Sequence, residues 1–231
     1  MKIHRFIGDF DFQKSEIQIT DIVTVKQIRN VLKLEPGETI ILSDGKGTSA
    51  EIIIESIQKN TVSGALRSKK IESARGPKVA LYLAILKKEN FELAVQKATE
   101  VGVHTVIPLI TERTIKTGLN MARLQKIAKE ASEQSGRSLT PTIGEIMTYE
   151  EALRDGATRE SKTLFHLSET EFSPIKETKS HSIFIGPEGG FTEHEIALAR
   201  KEGYNIASLG ALTLRGETAA IVATYRAVTG I

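Results

Sequence analysis

Residues 79–86 read "VALYLAIL", eight apolar side chains without a polar break, and this run constrains the fold more than any other feature of the chain. A strand with one wet face alternates apolar and polar residues. An unbroken run of this length suits a strand buried on both faces, the usual situation in a parallel sheet. The rhythm downstream agrees. A helical pattern, "NFELAVQKATEVG", places apolar residues at 91, 94, 95, 98 and 101 and stops at Gly102. The strand "HTVIPLI" and the helix "LNMARLQKIAKEASEQS" come next. Later come "KTLFHL", "SIFIGPEGG", a helix to about Lys201, "YNIASLG", and a last helix from about Glu217. Strands alternating with helices predict an α/β fold with a parallel sheet covered on both faces.

The first seventy residues have a different character. "ETIILSDGKGTSAEIIIESI" holds two apolar runs around Asp44-Gly45, a hairpin-turn signal, and "TVSGALRS" adds a further strand. A short helical pattern at Val25, Ile28, Val31 and Leu32 precedes them. Successive strands with tight turns predict a small barrel or curled sheet. The "SARGP" stretch marks the boundary, giving two domains, 1–72 and 73–231.

At 231 residues with 40% apolar and 26% charged side chains, the chain has the composition of a globular protein. It contains no cysteine, which excludes disulfides, thiolate metal sites and a Cys nucleophile. "MKIHRFIGDF" lacks the apolar core of a signal peptide, and no apolar run approaches the roughly 20 residues of a membrane span. The expectation is a soluble cytoplasmic protein. The net charge of +2 is spread evenly, but "RSKKIESARGPK", Arg67 to Lys78, holds five basic residues and one acid. Such a cluster is a candidate phosphate-contact surface, although a solvated linker is the commoner meaning.

"IGPEGGFTEHEI", Ile185 to Ile196, joins a buried-looking strand to a helix. Thr192 and Glu195 have capping-box spacing, and Phe191 and Ile196 have that of a hydrophobic staple. The remaining "GPEGG" is a short loop at the carboxyl end of a strand, where open α/β sheets bind ligands. It is neither a P-loop nor the G-x-G-x-x-G dinucleotide turn, and Glu188 would repel a phosphate. A neutral or cationic ligand held by backbone groups fits better. A second turn, "SLGALTLRGETAAIVAT", has the same construction: a strand ends at Gly210, Leu212 and Leu214 follow, and Arg215-Gly216-Glu217-Thr218 opens the final helix. Arg215 stands where the helix macrodipole disfavours a cation, whereas Glu217 has the favoured sign. The five histidines show no metal-ligand spacing, so no metal site is expected.

The pair "IGPEGGFTEHEI" and "LGALTLRGETAA" resembles the signature of the RsmE family, bacterial 16S rRNA (uracil-N3)-methyltransferases of the SPOUT superfamily. "HRFI", "PGETIILSDGKG", "QKATEVGVHTVIPLITERT" and "EASEQSGR" resemble further family blocks along the whole chain. Two departures stand out: Val101 occupies a position where Leu is usual, and Gly216 one where Thr is commoner. The resemblance implies a PUA-like RNA-binding β-barrel followed by an α/β domain with a trefoil knot, usually as a homodimer. It implies S-adenosylmethionine as cofactor, held by Ile185, Gly186, Pro187, Glu188, Gly189 and Gly190 on one loop. Leu209, Gly210, Leu212 and Leu214 would hold it on the other loop, with Thr218, Ala219 and Leu167 nearby. The reaction would methylate N3 of a uridine in 16S rRNA of the small ribosomal subunit. Arg215 would stabilise charge developing on a uracil oxygen, and Glu217 or Glu188 would take the proton. Arg5, Lys69, Lys70, Lys87, Arg113 and Arg137 would contact RNA. The alternatives are a SPOUT methyltransferase acting on another RNA such as tRNA, and a catalytically silent RNA-binding assembly protein.

Overall fold

The computed structural model describes residues 3–73, 76–115, 118–167, 170–174 and 177–231. The expected domain junction "SARGP" includes Ala74 and Arg75, which lie outside the described residues. Contacts divide the chain into two compact units, Met1–Ala74 with Ser132–Thr140, and Arg75–Ala131 with Pro141–Ile231.

The first unit is a five-stranded sheet in the order β1-β3-β4-β5-β2, built from β1 (His4–Ile7), β2 (Glu16–Ile19), β3 (Thr39–Ser43), β4 (Thr48–Ile57) and β5 (Val62–Ile71). β1 pairs with β3 in parallel and the other pairs are antiparallel. The Asp44-Gly45 turn closes the β3–β4 hairpin, and the Asp44 carboxylate accepts from the Lys46 and Thr48 backbone N–H groups. Irregularities at Glu51/Ile52 and Ile54/Ser56 shift the register between β4 and β5, and bulges of this kind bend a strand. A helix α1 (Ile22–Lys26), capped by Asp21, runs into one π-helical turn, Gln27–Val31. It buries Val25 and Ile28 in a core with Phe6, Ile40, Leu42, Ile52, Ile54 and Val62.

What the boundary at residues 72 and 73 did not anticipate is that 132–140, from the "EQSGR" block, joins this unit. Its attachments are polar. The Ile7 N–H donates to Glu133 Oε1 at 2.8 Å, the Ser138 carbonyl accepts from Gly47 N–H and Ser43 Oγ, and Thr140 N–H donates to the Gly45 carbonyl.

The second unit is a parallel sheet in the order β12-β10-β11-β6-β7-β8, with β9 also on β7. Its strands are β6 (Lys78–Ala84), β7 (Thr105–Ile110), β8 (Thr142–Ile143), β9 (Met147–Thr148), β10 (Ser161–Phe165), β11 (Ser180–Ile185) and β12 (Asn205–Ala207). β6 is central and buried on both sides, as its unbroken apolar run requires. Val79, Leu81 and Leu83 face one core with Phe91, Ala94, Val95 and Ala98 of α2 (Lys88–Glu100) and Ala220, Ala223 and Ala227 of α6 (Gly216–Thr229). Ala80 and Tyr82 face the other, with Ala152 and Leu153 of α4 (Tyr149–Gly156) and Ile196 and Ala199 of α5 (Glu193–Lys201). The remaining long helix is α3 (Met121–Ser135). No described helix is long and apolar enough to cross a membrane.

Register sets where the loops emerge. Phe165 of β10 pairs with Ile185 of β11 and Ala207 of β12, and Ile185 pairs with Leu83 of β6. These residues form one row at the carboxyl edge, so the turns after four parallel strands leave the sheet together.

Candidate active site

Beyond that row lies a cavity of about 700 Å³, within the size range of small-molecule sites. Phe165, His166 and Leu167 line it from the end of β10, Ile185 to Phe191 from the turn after β11, and Ser208 to Gly210 from the end of β12. Leu212, Thr213, Leu214 and Arg215 to Glu217 continue the wall into α6, and Lys87 and Asn90 add the start of α2. Twelve of the thirteen residues expected to hold the cofactor are therefore brought together. Thr218 is the thirteenth; it is exposed on α6 and is not among the lining residues.

Both turns have local reasons for their shape. In the first, Gly190 N–H donates to the Pro187 carbonyl at 2.8 Å, and Gly190 takes φ +69, a conformation costly for any residue with a Cβ. The expected capping box then starts α5: Thr192 Oγ1 accepts from Glu195 N–H, and Glu195 Oε2 accepts from Thr192 N–H at 2.8 Å. Phe191 and Ile196, the expected staple pair, bury in the same core. Glu195 is 1% exposed and its second oxygen accepts from Glu112 N–H at 2.9 Å. One buried carboxylate thereby joins the "TERT" turn to the start of α5. In the second turn, Ser208 N–H donates to the Thr170 carbonyl and Phe172 N–H to the Ser208 carbonyl. Gly210 takes φ +121, and Leu209 packs on the core.

The two groups expected to be catalytic sit differently. Arg215 is the N-cap residue of α6, extended and exposed, and its side chain makes no cap hydrogen bond. Glu217 is 8% exposed and lines the cavity. Among the described residues neither side chain has a hydrogen-bond or ion-pair partner. The Glu217 carboxylate oxygens are not among the buried unpartnered atoms, so they open on the cavity, where a ligand can meet them. Glu188 differs: it is exposed, and its Oε1 accepts from the Lys87 N–H, at the N-cap of α2, at 3.3 Å. Asn90, His166 and Thr213 also face the cavity and were not expected there from the sequence, and Phe191, expected only as a staple residue, lines it too. Asn90 and His166 lie one to three residues from strand or helix ends, the one signal that was available for them.

A family model described as an RNA methyltransferase domain matches residues 74–227, the span that builds this cavity. The ribosomal RNA small subunit methyltransferase E of Rickettsia conorii is 31% identical over 96% of this chain and 94% of its own length. The chain belongs to the ribosomal RNA small subunit methyltransferase E family. The Bacillus subtilis member of this RsmE family is 30% identical, covering 86% of this chain and 84% of its own. The crystal structure of the RsmE protein from Neisseria gonorrhoeae, bound to S-adenosylmethionine, superposes with a TM-score of 0.88 at 28% identity. That match covers 96% of this chain and 95% of the other.

Of the residues expected to contact RNA in this RsmE protein, Arg5, Lys69, Lys70 and Arg137 lie in the first unit, and Lys87 and Arg113 in the second. Lys69 and Lys70 are exposed near the end of β5, and Lys70 pairs with Glu72 at 2.5 Å. Arg5 on β1 is half-buried; desolvation lowers its pKa and Glu72 partly offsets this. Burial likewise lowers the pKa of Arg137. Lys87 lines the cavity. Arg113 lies in the "TERT" turn, and its Nη1 donates to the Gly189 carbonyl at 2.6 Å.

Proposed function

We propose that this protein transfers a methyl group from S-adenosylmethionine to N3 of a uridine in 16S rRNA of the small ribosomal subunit. The observation that carries this reading is the single cavity walled by both glycine turns, with Glu217 inside and Arg215 at the start of α6. Its chemistry suits the cofactor. The walls combine leucines and glycine backbone with polar groups that include Glu188 and Glu217, the phosphate-loop motif with its lysine is absent, and the Glu217 carboxylate opens on the cavity where a cationic group can meet it. S-adenosylmethionine supplies a methyl group carried on a cationic sulfonium. Gly186 to Gly190 and Leu209 to Leu214 would hold its adenosine part through backbone groups and apolar contact, as the loops of a trefoil knot.

The protein's own part is positioning and proton handling. N3 of neutral uracil carries a proton that must leave as the new N–C bond forms. Glu217 accepts that proton, and the charge that develops on O2 or O4 is met by Arg215. The target edge is the Watson–Crick edge, so the base must be unpaired or flipped out. We assign the first unit to RNA binding as a PUA-like module, with Lys69, Lys70, Arg5 and Arg137 as contacts, and Lys87 of the second unit as a further contact at the cavity. We also assign the protein to the cytoplasm as a homodimer. Leu167 and Leu212 leave large apolar side chains exposed at the cavity, which favours cover by cofactor or a second subunit.

The test is steady-state methyl transfer to small subunits with Arg215→Ala and Glu217→Gln. Arg215→Ala is expected to lower kcat about 100-fold or more with cofactor affinity retained, the size typical of a lost oxyanion donor. Wild-type kcat in both variants would remove the assigned roles.

A further inference from the structure

The turn after β11 carries two adjacent glycines, and the peptide between them is held from both ends. The peptide joining Gly189 to Gly190 points its N–H at the Pro187 carbonyl, at 2.8 Å, and its carbonyl at Arg113 Nη1, at 2.6 Å. The same Nη1 lies 3.5 Å from the Phe191 carbonyl. The arginine stem also lies along the turn: a Cβ built on Gly189 would sit 3.3 Å from Arg113 Cδ and 3.6 Å from its Cβ. A peptide between two glycines meets little steric resistance to rotation about its own axis. Without the guanidinium, only the bond to Pro187 opposes a flip.

The donor itself is firmly placed. Arg113 sits in a turn closed by Thr114 N–H donating to the Thr111 carbonyl and by Thr111 N–H donating to Thr114 Oγ1. Its neighbour Glu112 is bonded through its N–H to the buried Glu195 carboxylate. Among the described residues Arg113 has no carboxylate partner. Its charge is met within the chain by backbone carbonyls.

We propose that Arg113 is a positioning residue for the cofactor: it locks the Gly189–Gly190 peptide so that the turn keeps its ligand-accepting shape. The inference rests on the cofactor assignment above. It gives Arg113 a task in the cofactor loop, where the family resemblance implied an RNA contact.

The experiment measures S-adenosylmethionine binding by calorimetry, small-subunit RNA binding by filter retention, and KM against kcat. Its variants are Arg113→Ala, Arg113→Lys and Gly189→Ala. Arg113→Ala is expected to weaken cofactor binding and raise its KM about tenfold, the scale of one charge-assisted hydrogen bond partly replaced by water. At saturating cofactor kcat should change less than about twofold, as expected when only uniform binding is lost. RNA affinity should hold. Arg113→Lys restores one donor and part of the affinity. Gly189→Ala pushes the arginine stem aside without removing charge, and should give a smaller loss in the same direction. Unchanged cofactor affinity in Arg113→Ala overturns the inference, and so does a loss confined to RNA affinity. Wild-type protein that binds no S-adenosylmethionine overturns the cofactor assignment itself, and the inference with it.

Discussion

Gly216, where the family more often carries Thr, can be tested against its neighbour. It is the first residue of α6, and a Cβ there would lie 2.8 Å from Leu86 Cδ2 and 3.1 Å from Cδ1. Ordinary carbon contacts sit at roughly 3.5–4.0 Å, so the leucine would have to retreat by about half an ångström or more. Leu86 is 1% exposed and packed in the core with residues of α2 and α6. Overpacking of this kind costs about 1–3 kcal/mol. Replacing glycine in a helix returns at most about 1 kcal/mol. Gly216→Ala should therefore lose about 1–2 kcal/mol, or roughly 2–8 °C of melting temperature for a chain of this size. The assay is urea denaturation of a double-mutant cycle with Leu86→Ala. That substitution alone should cost about 2–5 kcal/mol. In its background, Gly216→Ala should be neutral or stabilising, because the clash is gone. Because Leu86 precedes Lys87, whose N–H holds Glu188, the single variant should also weaken cofactor binding. Equal effects of Gly216→Ala in both backgrounds, or a gain in the wild-type background, would refute the packing argument.

Three further outcomes follow from the structure. Glu195→Ala leaves Thr192 and Glu112 N–H groups without their acceptor. It should cost about 3 kcal/mol or more, since bonds to a charged acceptor contribute roughly 1.5–3 kcal/mol each; calorimetric melting checks it. Burial pushes the His181 imidazole from its ordinary 6.5 down to about 4. Between those values the unfolded chain binds a proton that the folded chain does not, so stability should fall as pH drops through that window. By the lower end the loss is about 3 kcal/mol, and His181→Leu should flatten that slope in urea titrations at stepped pH. Thr148→Ala, which removes the capping box of α4, should cost about 1 kcal/mol, read as a lower urea midpoint.

The parallel sheet and both ligand turns were legible because hydrophobic period, glycine position and capping spacing are local signals. The alternation after Lys78 predicts the strands around the cavity, and Thr192/Glu195 predicts the start of α5. Thr148 and Glu151 carry the same capping signature for α4, and β8 and β9 are two residues each, too short for a period to register. The docking of 132–140 on the first unit was hidden for a different reason. "EQSGR" is polar and looks like a solvated helix end, whereas the hydrogen bonds that attach 132–140 run through backbone groups, the Ser43 and Ser138 hydroxyls and two glutamates, Glu133 and Glu72, leaving no apolar pattern. The hold of Arg113 on the Gly189 carbonyl was hidden in the same way: an arginine that grips a carbonyl looks in sequence like any surface cation, and Arg113 was expected only as an RNA contact.

The most direct test of the central claim is to incubate the protein with labelled S-adenosylmethionine and small ribosomal subunits that lack the modification. The RNA is then digested and its nucleosides identified by mass spectrometry, with Arg215→Ala alongside. The account predicts N3-methyluridine in 16S rRNA, lost or greatly reduced in the variant. Label on another base or another RNA, or no label despite cofactor binding, would contradict it.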